Sequence, residues 1–159
     1  MMRFSILVLL LISIVFFSFR VPTKFSNPQS SKVCRYENID TFLNSAKIVV
    51  IDYWYAGCGP CKRSIPMMNQ IAEKYTSKGI KVYGLNPMDD LSTITNYKTN
   101  NAIFYDMFPI SIDLARAHFI SEYPTVVIYK KNKVAMTLEG FSELTQKQLS
   151  EVLDKLLKN

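Results

Sequence analysis

The sequence has one histidine and three cysteines among its 159 residues. A structural zinc site needs four ligands, normally a second Cys or His pair completing the first. Beside Cys58 and Cys61 the chain offers only Cys34 and His118, without the usual pairing. Zinc is therefore disfavoured, and no metal is called for. No basic stripe interleaved with aromatics occurs, which argues against nucleic acid as a partner. Internal repeats are absent. Acids are missing before residue 32, where Arg3, Arg20 and Lys24 stand alone. From Lys32 onward 16 basic side chains face 13 acidic ones, a balance of +3 and an ordinary soluble surface. Lys130, Lys131 and Lys133 cluster as a solvated hairpin turn would. The length suits one domain with a full hydrophobic core and is short for two.

What is present is unevenly placed. Residues 4–19 are almost wholly apolar, preceded by Met1-Met2-Arg3 and followed by Arg20-Val21-Pro22. A basic start and an apolar run mark a secretory signal or an anchor. As a helix the run would reach about 24 Å, against about 30 Å of bilayer hydrocarbon. No small-x-small cleavage site follows, Ser18 and Thr23 being poor ones, and no Cys directly follows the run for lipid attachment. The expectation is residues 1–21 as an uncleaved anchor or a cleaved signal, 22–31 as a linker rich in proline and small polar residues, and a domain over 32–159 outside the cytoplasm.

Within that domain helices and strands alternate. A short helix is expected at 38–46, with Ile39, Phe42 and Leu43 on one face. The run 47–53 (KIVVIDY) suits a central strand buried on both faces, broken by one acid. Helix 60–77 repeats Ile65, Met68, Ile71, Ala72 and Tyr75 at steps of three and four, and Gly79 stops it. A strand at 80–85, a helix at 91–99 and a short strand within 102–112 follow. A helix at 113–119 would be capped by Asp113. Strands 125–129 and 134–138 flank the Lys-Lys-Asn-Lys turn. The last helix, 144–157, would turn Leu149, Val152, Leu153, Leu156 and Leu157 inward. The pattern predicts an α/β sandwich with a mixed sheet.

Cys58-Gly59-Pro60-Cys61 carries the chemistry. Such a pair can be a redox couple on a strand–loop–helix unit, half of a zinc site, or a purely structural disulfide. The last is disfavoured because so small a ring removes little chain entropy. Pro60 suits the first helical position, which places Cys58 just before the helix and Cys61 inside it. Unpaired helix N–H groups and the positive end of the dipole then point at Cys58, with Lys62 and Arg63 nearby. These favour thiolate, the nucleophilic form. Cys58 is thus the candidate attacking sulfur and Cys61 the resolving one.

The segment Val50-Ile51-Asp52-Tyr53-Trp54-Tyr55-Ala56-Gly57-Cys58-Gly59-Pro60-Cys61-Lys62 resembles the active-site unit of the thioredoxin superfamily, in particular TlpA-like membrane-anchored thiol–disulfide oxidoreductases. Pro66, Tyr123-Pro124-Thr125 and Glu139-Gly140-Phe141 extend the resemblance over about 125 residues. It implies a three-layer thioredoxin-like sandwich with an inserted helix and strand between Asn86 and Tyr123. It implies that Asp52, whose pKa burial should raise, exchanges protons with Cys61; an exposed edge-strand acid is the plain alternative. Pro124 would be cis, against an ordinary trans proline opening a strand. The backbone of Tyr123 would pair with substrate, and Pro124, Trp54, Gly59 and Pro60 would surround that site; for Trp54 the alternative is plain core. No cofactor is implied. Partners would be protein disulfide clients, apocytochrome c cysteines or similar, and a membrane thiol protein as electron donor.

Three positions depart from the family. Gly57 replaces a Trp before the first cysteine, Ser64 replaces a Glu, and Gly84 stands where thioredoxin has a Lys near the buried acid. Cys34 reads as a buried thiol or a regulatory partner, His118 as structural or surface, and Met67 and Met68 as packing. The favoured activity is reduction of protein disulfides. An oxidase or isomerase, a thiol peroxidase and a non-catalytic binding module are the rivals, although the Pro-x-x-x-Thr/Ser-x-x-Cys setting of peroxidases is absent from 51–58.

Overall fold

A computed structural model describes residues 35–158. The sheet has five strands in the order β3-β2-β1-β4-β5. β1 (Ile48–Tyr53) lies at its centre, and all six of its residues are buried. It runs parallel to β2 (Ile80–Asn86) and antiparallel to β4 (Thr125–Lys130). β3 (Asp106–Pro109) extends the β2 edge in parallel, and β5 (Lys133–Glu139) closes the other edge as a hairpin with β4. The hairpin turns on Lys131 and Asn132, at φ 49° and 62°. Two successive left-handed residues give the twist that a two-residue hairpin needs.

Alternation along β1 divides the core into two layers. Ile48 and Val50 pack with α2 (Gly59–Thr76), α3 (Leu91–Asn100) and α5 (Thr145–Lys158), through residues such as Ile71, Ile94 and Leu149. Val49, Ile51 and Tyr53 pack with α1 (Asp40–Leu43) and α4 (Ile112–Ala117), through Phe42 and Ala115. Helices therefore cover both faces of a mixed sheet, as the pattern predicts. Between Asn86 and Tyr123 lie α3, β3 and α4.

The helix ends differ from expectation in places. α4 is capped by Ser111, whose Oγ accepts from the Leu114 N–H at 3.1 Å; Asp113 lies inside the first turn. α4 also stops at Ala117, and Phe119, at φ 60° and 90% exposed, has left the helix. α1 is one short turn, far shorter than 38–46. In α5, Leu149 and Leu153 are buried but Leu157 is exposed. At 100° per residue Leu157 lies about 80° round the helix from Leu149. The 4–19 run, the 22–31 linker and Cys34 lie outside the described residues. Among the described residues no helix is long and apolar enough to cross a membrane.

Leu149 has no exposed surface, whereas Leu144 is 65% exposed. Leu149→Ala should cost about 2–5 kcal/mol and Leu144→Ala no more than about 0.5 kcal/mol, read from urea unfolding midpoints.

Candidate active site

Cys58 is the N-cap of α2, with extended backbone (φ −81°, ψ 104°). Its Sγ accepts from the Cys61 N–H at 3.0 Å. The two sulfurs are joined as a disulfide with Cα atoms 5.2 Å apart. α2 opens at Gly59, so Pro60 takes the second helical position and not the first; its missing N–H still costs nothing there. Both cysteines are 3% exposed, while Gly57, Gly59 and Pro60 are exposed around them. Ser64 is buried and donates to the Cys61 carbonyl at 2.8 Å. Lys62 and Arg63 are exposed.

The loop between α4 and β4 faces the pair. The Tyr123–Pro124 peptide bond is cis. The Tyr123 carbonyl oxygen lies 3.6 Å from Cys58 Sγ. The Tyr123 ring meets Tyr55 edge-on at 5.5 Å. Tyr55 also reaches toward Gly57, where a Cβ would come within 3.3 Å of its ring. Tyr55 thus crowds the face of the loop that Gly57 leaves bare.

Asp52 stands on the central strand between Val50 and Trp54, on the sheet face that packs in the same layer as the cysteines, and is 3% exposed. Its Oδ2 accepts from the Tyr105 hydroxyl at 2.9 Å, and its Oδ1 has no partner. Burial pushes its carboxyl up from 3.8, the Tyr105 bond pulls part of the way back, and the net position is about 7. The register sets Asp52 beside Gly84 of β2. A Cβ at Gly84 would lie 3.0 Å from Trp54 Nε1 and 3.1 Å from Met107 Cε. Trp54 and Met107 therefore occupy the space a longer β2 side chain would need. Trp54 is 2% exposed and stacks on Tyr97 at 4.9 Å. It belongs to the core and offers a docked substrate no surface.

Pro124, Tyr123, Gly59 and Pro60 thus gather around the cysteines, and Trp54 packs in the same core layer as the pair, on the sheet face that carries Asp52. Met67 and Met68 are buried packing residues. His118 sits at the C-terminal end of α4, among residues of the opposite layer. Two supports escape a reading of the sequence. Asp89 Oδ2 accepts from the Ala56 N–H at 2.6 Å and from Asn86 Nδ2 at 2.9 Å. Asn86 in turn accepts from the N–H groups of Met88 and Asp89. This turn after β2 pins the loop that leads into Cys58. Its only signal in the sequence is Asn-Pro at a strand end, an ordinary turn marker. Tyr105, the partner of Asp52, carries no such signal.

A disulfide closed at a helix N-terminus, reached from the central strand of a five-stranded mixed sheet, defines the thioredoxin-fold redox proteins as a class. The thioredoxin family model matches residues 30–155, and this chain belongs to that family. It is 30% identical over 116 residues to the thiol-disulfide oxidoreductase ResA of Bacillus thuringiensis subsp. konkukian, covering 69% of this chain and 64% of that protein. The chain thus spans less than two thirds of that relative's length. It is 28% identical over 126 residues to a thioredoxin of Acidithiobacillus ferridurans, covering 77% of this chain and 94% of that protein. Among solved structures it resembles StoA from Bacillus subtilis (TM-score 0.60, 19% identity, covering 69% of this chain and 84% of that one). It also resembles a thiol:disulfide interchange protein from Chlorobium tepidum (TM-score 0.62, 20% identity, 75% and 84% covered). Both likenesses speak for the fold.

Burial raises the Asp52 pKa, so the native state resists losing this proton more than the unfolded chain does. Its contribution to stability is full below about pH 4, falls as pH rises toward 7, and is level above. The fall amounts to about 4 kcal/mol. Asp52→Asn, which keeps an acceptor for Tyr105, should lose this fall, and urea midpoints at pH 4 and pH 8 would show it.

Proposed function

We propose that this protein is an extracytoplasmic thiol–disulfide oxidoreductase that reduces protein disulfides. The observation that carries the reading is the Cys58–Cys61 disulfide at the N-terminus of α2, with the Cys58 sulfur against the Tyr123 carbonyl. The ResA relative is named a thiol-disulfide oxidoreductase. In the reduced pair, the Cys61 N–H and the helix dipole favour a thiolate on Cys58. That thiolate attacks a client disulfide, forming a mixed disulfide and expelling one client thiolate. Cys61 then gives its proton to the Asp52 carboxylate and attacks Cys58 Sγ. The second client thiolate leaves, and the Cys58–Cys61 disulfide is restored. Two electrons pass from the pair to the client.

In this reading the cis-proline loop receives the client's backbone at Tyr123, and Gly59 and Pro60 form the exposed rim. The apolar run 4–19 supports an anchor that holds the domain outside the cytoplasmic membrane. The oxidised pair then needs a membrane thiol protein as electron donor. Apocytochrome c cysteines are the proposed clients, on the TlpA-like resemblance of residues 50–62.

Cys58→Ser should bring insulin-disulfide reduction down to background, and turnover that survives it would overturn the mechanism. Cys61→Ser should instead hold clients as mixed disulfides through Cys58, resolved on a non-reducing gel and released by dithiothreitol.

A further inference from the structure

We infer that Tyr105 is a positioning residue that sets the charge state of Asp52, and that Asn69 holds Tyr105 in place. The consequence for rate rests on the proton role proposed above for Asp52; the contact itself does not.

Tyr105 belongs to no regular element. It lies in the link between α3 and β3, yet it is only 4% exposed. Its hydroxyl is the one hydrogen-bond donor to the Asp52 carboxylate among the described residues. The residues flanking Tyr105 are tied to α2. Asn69 Nδ2 donates to the Ala102 carbonyl at 2.9 Å, and Asn69 Oδ1 accepts from the Phe104 N–H at 3.0 Å. Asn69 is on the same helix as Cys61, about two turns further along. One helix therefore carries the cysteine pair and clamps the link that serves the buried acid.

The other ionisable groups around Asp52 do not do this work. Tyr97 of α3 feels the charges of Asp52 and Asp89, but its hydroxyl has no partner. Asp89 is a like charge committed to Ala56 and Asn86. Cys58 and Cys61 of α2 share the same core layer. Among the described residues burial and then the Tyr105 bond move Asp52, and no lysine or arginine takes part. A donated hydrogen bond favours the ionised carboxylate over the acid. Removing it strands an anion that is already half without partners, so the acid form gains.

The test is the titration of the Asp52 carboxyl carbon by NMR in the full chain, with the pH profile of insulin-disulfide reduction beside it. Tyr105→Phe keeps the ring and should raise the Asp52 midpoint by about one pH unit. Asn69→Ala, a half-buried site away from the carboxylate, should move it the same way by less. Tyr97→Phe should leave it in place. The alkaline-going limb of the rate profile should follow the midpoint upward. An unmoved Asp52 midpoint in folded Tyr105→Phe overturns the inference, as does an equal shift in Tyr97→Phe. A midpoint that moves without the rate profile upholds the Tyr105 contact and removes Asp52 from the proton step.

Discussion

A carboxyl group in the middle of a sheet covered on both faces has two ways to limit its cost: keep its proton, or collect donors. Asp52 does some of each. β1 is buried along its whole length because helices cover both faces of the sheet, and this is what makes the group expensive. One hydroxyl reaches one oxygen, and the other oxygen goes without. The carboxyl is therefore pushed up to about 7, where it can hold or release a proton under ordinary conditions. Every nearby feature can be read against that constraint, from the small residue at Gly84 to the buried Tyr105.

The cysteine pair obeys a different constraint, set by the end of α2. Helix N-termini leave N–H groups without partners, and a sulfur at the N-cap is placed to receive one. Cys58 occupies that cap and takes the Cys61 N–H, while Cys61 sits within the first turn. The two sulfurs are thus inequivalent by backbone position alone. The loop before them is kept in register from β2, through Asn86 and Asp89 to the Ala56 N–H. Such a hydrogen bond to a charged acceptor is among the stronger kind. It holds a loop that Gly57 would otherwise leave freer.

Much of this was legible in the sequence, for a local reason. The run Ile48–Tyr53 is apolar but for Asp52 and the steps from Ile65 to Tyr75 recur at helical spacing, and burial follows each. Cys58, Cys61 and Pro60 declare a helix start by their spacing, and the cis bond at Pro124 met the expectation drawn from the family. What was not legible depends on residues distant in the chain. Tyr105 lies in a stretch that is apolar but irregular, so no period singles it out. Asp89 looks like one more turn acid until Ala56 is brought to it. The misplaced α4 cap has a local cause: Ser111 and Asp113 both suit that role, and only the backbone shows which one reaches Leu114.

Gly84 and Tyr105 belong to one arrangement. Trp54 and Met107 fill the space that a longer side chain on β2 would need to reach Asp52. With that approach closed, a donor must come from beyond β2, on the link that leads into the next strand. A phenol supplied from there is neutral, unlike a lysine. It steadies the carboxylate without adding a charge that would keep it ionised at every working pH. The packing of an apolar pair around a glycine thus decides the electrostatics of the acid. It leaves the proton affinity of Asp52 to burial and to one opposing hydroxyl, held by α2 through the link that carries it.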